Sequence, residues 1–200
     1  MAKLMYMYGA MNSRKSLDLL ATAYNFEEKN ISFIALKSSL DTRDEGVIRS
    51  RAGLERKCTT VTPDVNIYEA IRQYNNVLAV QEEAPLKWIL VDECQFLTEE
   101  QVDQLSDIVD YMDVNVLCYG LRTDFKSHLF PASKRLFEIA DSIEEVKSSC
   151  ECGKKALINA RFDENGNIIT EGSQILVGGN EMYKPLCRKC WKDKIREKKC

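Results

Sequence analysis

Two patterns of hydrophobic residues alternate along the chain. Short, nearly continuous apolar runs predict strands, and they occupy residues 4–8, 31–36, 88–91, 114–119 and 143–146. Between these runs, apolar residues spaced three and four apart predict helices over residues 16–30, 67–74, 98–112 and 131–140. Strands that alternate with helices are typical of an α/β fold with a parallel sheet, and this is the fold class that we predict.

Local signals indicate where helices begin. Thr98 and Gln101 form a capping box, in which each residue can satisfy a free backbone N–H at the start of a helix. Asn66 and Glu69 form a similar start, and Pro131 suits the first turn of a helix. These signals support the predicted boundaries.

The pattern changes at Cys150. Several β-prone runs follow, and an Asn165-Gly166 turn between two of them favours a β-hairpin. The predicted domains are residues 1–147, residues 148–191 and a lysine-rich tail at residues 192–200. We expect this tail to be a frayed, solvated end.

Composition narrows the class of ligand. The chain has 200 residues, of which 44% are hydrophobic, and this is enough for one sizeable core and a small appendage. A net charge of −3 gives no general attraction for nucleic acid or anionic membranes. No apolar run approaches the roughly 20 residues of a membrane span, and no signal peptide is recognisable. We therefore expect a cytoplasmic protein that binds a small anion, without nucleic acid or membrane partners.

A phosphate-binding loop is predicted between the first strand and the first helix. Its sequence is Gly9-Ala10-Met11-Asn12-Ser13-Arg14-Lys15-Ser16, close to the pattern G-x-x-x-x-G-K-[ST]. In such loops the backbone N–H groups surround phosphate, the lysine neutralises it and the hydroxyl binds Mg²⁺. The alternative is an ordinary strand-to-helix turn. The flanking strand and helix favour nucleotide binding.

Arg14 stands where the pattern has its second glycine. A side chain there can strain the backbone or fill the phosphate site, and replacement by glycine would then tighten triphosphate binding. Alternatively, the guanidinium is an additional phosphate ligand, and the same replacement would weaken binding. We favour the first hypothesis because Lys15 and the helix N-terminus already supply positive charge.

Acidic residues at a strand end predict the second half of the site. Asp92 and Glu93 follow the buried strand at residues 88–91. A carboxylate there is costly unless it meets a cation, and the Mg²⁺ bound by Ser16 would supply one. The alternative is a solvated acidic pair.

Residues 37–53 are predicted to be a mobile polar loop, which is either solvated surface or a source of an arginine for the phosphates.

The eight cysteines separate into two kinds. Cys58, Cys94 and Cys118 occur singly, and we interpret them as reduced core or near-core residues. The others, apart from the last residue, form the pairs Cys150/Cys152 and Cys187/Cys190, which bracket the predicted small β-domain. Four cysteine thiolates would bind one structural Zn²⁺, and free thiols or disulfides are the alternatives.

These motifs together resemble the type II thymidine kinase family over nearly the whole chain. The matching motifs are the phosphate loop, Asp41-Thr42-Arg43, Asp92-Glu93-Cys94-Gln95-Phe96, Gly120-Leu121 with Asp124-Phe125, Gly178-Gly179-Asn180-Glu181 with Tyr183, and Cys187-Arg188-Lys189-Cys190. The resemblance implies a RecA-like phosphate-loop domain and a small zinc-ribbon domain with a lasso segment. It also implies ATP-dependent phosphorylation of thymidine, and of deoxyuridine as a further possibility, in nucleotide salvage for DNA synthesis.

The resemblance implies roles for individual residues. Glu93 would be the base, Arg43 would stabilise the transferred group, and Lys15 would hold the β- and γ-phosphates. Asp92 and Ser16 would serve Mg²⁺, with Gln95 among the nucleotide-binding residues. The implied nucleoside-binding residues are Met11, Leu121, Phe125, Phe130, Val177, Gly178, Gly179, Asn180 and Tyr183. Homotetramers and feedback inhibition by thymidine triphosphate (dTTP) are also implied.

Departures from the family pattern give the alternative hypothesis. Because Arg14 replaces glycine, the chain could be a catalytically impaired nucleotide-binding or regulatory protein of the same fold. The family pattern also places a metal ligand at Ser149, which makes Cys150 the least secure zinc ligand. His128, the single histidine, is predicted to be a loop residue rather than a catalyst.

Overall fold

The computed structural model describes residues 1–42, 46–174 and 182–199. The strands in these residues are β1 (Leu4–Gly9), β2 (Phe33–Ser38), β3 (Val47–Arg49), β4 (Glu55–Lys57), β5 (Thr59–Val61), β6 (Trp88–Asp92), β7 (Asn115–Leu121), β8 (Ser142–Glu145), β9 (Ile158–Phe162), β10 (Ile168–Ile169) and β11 (Tyr183–Leu186). The helices are α1 (Lys15–Glu28), α2 (Ile67–Val80), α3 (Glu99–Met112), α4 (Pro131–Ile139) and α5 (Arg188–Lys199). A short 3₁₀ helix, Cys94–Phe96, follows β6.

The main sheet has six parallel strands in the order β5-β2-β6-β7-β1-β8. Helices cover both faces, as the alternation of strands and helices predicts. Because all the strands are parallel, the segments that leave β1, β6 and β7 emerge at one edge of the sheet. The predicted phosphate loop and the predicted acidic pair therefore meet at that edge.

Buried apolar residues form a core layer on each face of this sheet. In β6, Ile89 and Val91 face the layer that contains α2, α3 and α4, whereas Leu90 faces the layer that contains α1. The side chains of all three are almost fully buried. A strand that is buried on both faces reads as a continuous apolar run, which explains why β6 was predictable from sequence.

The predicted helix starts are confirmed. Thr98 and Gln101 form the reciprocal capping box, and the Asn66 side chain accepts a hydrogen bond from the Glu69 N–H at 2.9 Å. Helix α4 begins at Pro131. Helix α2 is longer than predicted because the buried Leu78 continues its apolar face beyond residue 74.

The prediction of a mobile loop over residues 37–53 is wrong for much of this segment. Strands β3 and β4 pair as an antiparallel hairpin, and Ile48 is fully buried against α1. The buried Ile48 thus anchors a segment that is otherwise mostly polar. Lys37 and Asp41 form a buried ion pair at 3.1 Å beside this hairpin.

The C-terminal unit is a three-stranded antiparallel sheet in the order β10-β9-β11, with the predicted turn between β9 and β10. The prediction that residues 192–200 are a frayed end is wrong for the described part, which continues helix α5. Trp191 and Ile195 lie one helical turn apart and pack with Cys187 against this unit. In the predicted run at residues 174–177, only Gln174 lies within the described residues.

None of the helices in the described ranges combines the length and apolar character that crossing a membrane requires.

Candidate active site

A cavity of about 550 Å³ opens at the edge of the main sheet where β1, β6 and β7 end. Phosphate-loop residues line one end, and residues after β7 with parts of the C-terminal unit line the other. The lining residues used below are Met11, Asn12, Ser13, Arg14, Lys15, Ser16, Asp92, Glu93, Leu121, Thr123, Phe125, Phe130, Asn159 and Tyr183. The structure therefore brings the two predicted halves of the site into one cavity.

The phosphate loop joins β1 to α1. At Gly9 a Cβ atom would clash with the Ser13 hydroxyl and with the carbonyl oxygen of Val146, so only glycine fits there. Lys15 Nζ donates hydrogen bonds to the Ala10 carbonyl at 3.0 Å and to Ser13 Oγ at 3.2 Å. The lysine thus lies folded over its own loop. Gly9 and Ala10 form the base of the loop, outside the lining of the cavity.

Arg14 adopts a left-handed conformation, with φ 68° and ψ 11°. This conformation costs a non-glycine residue on the order of 1 kcal/mol because its Cβ crowds the backbone. Arg14 lines the cavity and makes no side-chain capping hydrogen bond to α1. Asn12 in the same loop also has a positive φ of 62°. The strain that we expected at Arg14 therefore has a structural basis.

Asp92 and Ser16 meet at the centre of the site. Ser16 Oγ lies 3.2 Å and 3.3 Å from the two carboxylate oxygens of Asp92 and donates to them. Burial raises the pKa of Asp92 to about 7, and the neighbouring Glu93 adds to this rise, against the opposing effects of Ser16 and Lys15. A buried carboxylate beside a hydroxyl is a suitable oxygen-ligand set for Mg²⁺.

The raised pKa of Asp92 gives a prediction for stability without added magnesium. Between about pH 4, where an exposed aspartate titrates, and about pH 7, the folded protein retains a proton that the unfolded chain has released. Wild-type stability therefore falls as the pH rises through this window. We expect Asp92→Asn to melt at a higher temperature than wild type, with a larger difference at pH 8 than at pH 5 in calorimetry. An equal difference at the two pH values would contradict the assignment.

Glu93 follows Asp92 in a left-handed conformation, with φ 50° and ψ 39°. Gln95 Nε2 donates a hydrogen bond to Glu93 Oε2 at 2.5 Å, and Gln95 Oε1 accepts one from the Leu121 N–H at 2.8 Å. Glu93 lines the cavity, whereas Gln95 is buried beneath it. Both ends of the Gln95 amide are thus directed to the protein, and the contact of Gln95 with nucleotide stays a prediction.

Aromatic and apolar residues form the other end of the cavity. Met11, Leu121, Phe125, Phe130 and Tyr183 all line it, as the family resemblance implies. The Phe125 ring lies 3.9 Å below the guanidinium carbon of Arg161, an arrangement that favours cation–π attraction. The other predicted site residues lie outside the described residues, and they are Arg43, Val177, Gly178, Gly179 and Asn180.

Asn159 is a site residue that the sequence analysis missed. It lies on β9, is almost fully buried and joins two parts of the cavity wall. Its Oδ1 accepts a hydrogen bond from the Met11 N–H at 2.7 Å, and its Nδ2 donates one to the Thr123 carbonyl at 2.9 Å. The sequence signal that could have identified Asn159 is an asparagine within a run of otherwise buried strand residues. A buried amide side chain needs hydrogen-bond partners.

The four paired cysteines form a cluster that could hold a metal ion. Their sulfur atoms all lie within 4.8 Å of one another, and those of Cys152 and Cys187 are 3.6 Å apart. Tetrahedral zinc with Zn–S distances of about 2.3 Å places its sulfurs about 3.8 Å apart, so the cluster fits this ion. Cys150, predicted to be the least secure ligand, is part of the cluster.

The three single cysteines of the described residues are free and buried or half-buried, as predicted, and the histidine lies in a loop. Cys94 and Cys118 are buried, Cys58 is half-buried, and all three are reduced. His128 lies in a loop, where its backbone N–H donates to Asp124 Oδ1 at 2.9 Å. None of the four is placed among the residues that line the cavity in the described part of the chain.

Comparison with known proteins agrees with this arrangement. The family described as thymidine kinase matches residues 2–191. A thymidine kinase of Mannheimia succiniciproducens is 43% identical over 195 residues, which cover 97% of each chain. One from Shouchella clausii is 44% identical and covers 95% of this chain and 96% of its own. One from Lactiplantibacillus plantarum is 45% identical and covers 94% of each chain.

Proposed function

Since this chain belongs to the thymidine kinase family, we propose that it transfers the γ-phosphoryl group of ATP to the 5′-hydroxyl of thymidine. The observation that carries this proposal is the single cavity in which a phosphate loop, two strand-end carboxylates and an aromatic pocket face one another. Such a cavity can hold a triphosphate and a nucleoside end to end. In-line transfer requires this arrangement.

The phosphate end would act through charge and position. The α1 N-terminus and Lys15 would hold the β- and γ-phosphates, after Lys15 leaves the Ala10 carbonyl that it contacts in this structure. Ser16 and Asp92 would hold Mg²⁺, which neutralises charge on the phosphates when it is bound with ATP. The raised pKa of Asp92 supports this role, because a cation would favour its charged form.

Glu93 is the proposed general base. Its carboxylate would accept the proton of the thymidine 5′-hydroxyl while the hydroxyl oxygen forms a bond to the γ-phosphorus. The bond from the γ-phosphorus to the bridging oxygen breaks, and ADP leaves. Arg43 remains the proposed source of positive charge for the transferred group.

The nucleoside end would select the base. Phe125, Phe130 and Tyr183 would surround thymine, with Leu121 and Met11 as further walls. Backbone groups of residues 177–183 are the proposed readers of its polar edge. Because one cavity holds both ends, dTTP could occupy it as a feedback inhibitor. We further propose that the protein is a cytoplasmic homotetramer with one structural zinc per chain. Gel filtration would test the assembly, and elemental analysis would test the metal content.

A radiolabel assay tests the proposed function. The zinc-replete protein, incubated with ATP labelled in its γ-phosphate, Mg²⁺ and thymidine, is expected to yield labelled thymidine monophosphate. Absence of transfer to both thymidine and deoxyuridine would contradict the proposal. Tight binding of ATP or dTTP without transfer would instead support the alternative of a nucleotide-binding regulatory protein, which the family assignment does not favour.

The strained Arg14 leads to a prediction for this assay. We expect Arg14→Gly to raise the free energy of unfolding by about 1 kcal/mol, because glycine adopts a positive φ without crowding. We also expect tighter ATP binding and faster turnover, because removal of the side chain opens the phosphate site. Calorimetry, ATP titration and steady-state kinetics would measure these three effects.

Two further variants separate the backbone from the charge. Arg14→Ala removes the guanidinium and keeps a Cβ at the strained position, whereas Asn12→Gly relieves the other positive φ of the same loop and leaves Arg14 in place. If backbone strain at position 14 dominates, Arg14→Gly improves ATP binding and Arg14→Ala does not. If the side chain fills the phosphate site, both variants improve ATP binding. Weaker ATP binding by both Arg14→Gly and Arg14→Ala would show that the guanidinium is a phosphate ligand.

A further inference from the structure

The Gln95 side-chain amide forms a short hydrogen bond to the Glu93 carboxylate. Its Nε2 donates to Glu93 Oε2 at 2.5 Å, and hydrogen bonds to an ionised acceptor are shorter and stronger than those between neutral groups. Glu93 lies immediately after β6 in a left-handed conformation. The hydrogen bond from the Gln95 amide therefore constrains a carboxylate that lies just beyond the strand.

Gln95 itself is held from the neighbouring strand. Its Oε1 accepts the Leu121 N–H at 2.8 Å, at the end of β7, and its side chain is 2% exposed. A Cβ at position 120 would lie 2.8 Å from Gln95 Oε1 and 2.5 Å from Cys94 Sγ, so Gly120 provides the space that the amide occupies. The Gln95 amide is thus hydrogen-bonded at both ends.

The same connection reaches the nucleoside pocket. Leu121, whose N–H holds Gln95, also lines the cavity, and its carbonyl accepts hydrogen bonds from the Tyr6 and Ser133 hydroxyls at 2.9 Å and 2.7 Å. The hydrogen bonds from Leu121 through Gln95 thereby fix the Glu93 carboxylate relative to the pocket wall. A positioned carboxylate matters because an error of about 1 Å at a reacting group can cost on the order of 100-fold in rate.

We propose that Gln95 is a positioning residue that acts through Glu93: it orients the carboxylate toward the nucleoside hydroxyl by linking it to the end of β7. This inference rests on the proposed function, because it assumes that Glu93 is the base. It gives Gln95 a role other than contact with nucleotide. It also explains why the side chain is an amide, since one group must accept from Leu121 and donate to a carboxylate.

Gln95→Leu and Gln95→Glu test this role. Leucine removes both hydrogen bonds, whereas glutamate keeps the size and the acceptor for Leu121 but replaces the donor that faces Glu93. We expect both variants to lower kcat by roughly 10- to 100-fold and to leave the Kd for thymidine within about twofold. Gln101→Leu is the matched control, since Gln101 is an equally buried amide that bonds to the Thr62 and Val65 carbonyls outside the cavity.

The decisive measurement combines these variants with Glu93→Gln. If Gln95 acts through Glu93, Gln95→Leu changes the residual rate of Glu93→Gln by less than about threefold, because the group that it positions is already lost. An equal loss in both backgrounds, or a Gln101→Leu variant with the same loss of kcat as Gln95→Leu, would overturn the inference. Wild-type protein without turnover would instead contradict the proposed function.

Discussion

Glu93→Gln is expected to lower kcat for thymidine phosphorylation by about 100- to 10,000-fold, the usual contribution of a general base. The substitution preserves the size of the side chain, and the amide oxygen can still accept the hydrogen bond from Gln95. It removes the group that would take the 5′-hydroxyl proton. Thymidine affinity should remain within about twofold, since the aromatic residues of the pocket are unchanged. Single-turnover transfer from labelled ATP measures the rate, and calorimetric titration measures the affinity.

Glu145→Gln is a suitable control for this experiment. Glu145 also ends a strand of the main sheet, but it pairs with Lys155 at 2.7 Å and does not line the main cavity. Its substitution should leave kcat unchanged. A Glu93→Gln protein that retains the wild-type rate would remove Glu93 from the role of base. A variant that loses affinity and rate equally would place its contribution in ground-state binding.

The parts of the site that sequence could predict are those made by local structure. The phosphate loop needs only a strand, a loop and a helix in succession, and Asp92 and Glu93 follow directly from the end of a buried strand. Parallel strand order then brings these two segments together. The left-handed conformation of Arg14 was also predictable, because the motif places glycine there.

The features that sequence could not predict depend on contacts between distant segments. Ile48 anchors the β3–β4 hairpin only because α1 provides a surface for it, and helix α5 is ordered because Trp191 and Ile195 pack on the C-terminal sheet. Asn159 resembles an ordinary polar residue until its partners are known, and the family resemblance assigns Gln95 to the nucleotide rather than to Glu93 and Leu121. Apart from Glu93, which lies two residues from Gln95, these partners are brought close by the fold rather than by spacing along the chain.

Asn159 connects the C-terminal unit to the catalytic half of the molecule. It holds the Met11 N–H of the phosphate loop and the Thr123 carbonyl of the nucleoside pocket, while the Ser148 hydroxyl donates to the Met11 carbonyl at 3.3 Å. Ser148 lies only two residues before Cys150, which belongs to the cysteine cluster. Disorder in the C-terminal unit would therefore release both the phosphate loop and the proposed nucleoside pocket.

Loss of the metal is accordingly expected to weaken thymidine binding, although no cysteine of the cluster lines the main cavity. Structural zinc contributes on the order of 10 kcal/mol to the folding of small domains, so Cys187→Ser or Cys190→Ser should unfold the C-terminal unit. We expect loss of bound zinc, a lower melting temperature and a thymidine Kd raised by at least about tenfold. A tenfold change requires a loss of only about 1.4 kcal/mol from the pocket.

Cys58→Ser controls for the loss of a thiol as such. Cys58 is half-buried beside the main sheet, away from the cluster, and its substitution should preserve about one zinc per chain together with wild-type thymidine affinity.

Asn159→Ala tests the connection itself, because it should weaken thymidine binding while zinc content stays normal. If a zinc-free Cys187→Ser protein binds thymidine as tightly as wild type, the C-terminal unit does not support the pocket and the coupling through Asn159 is refuted.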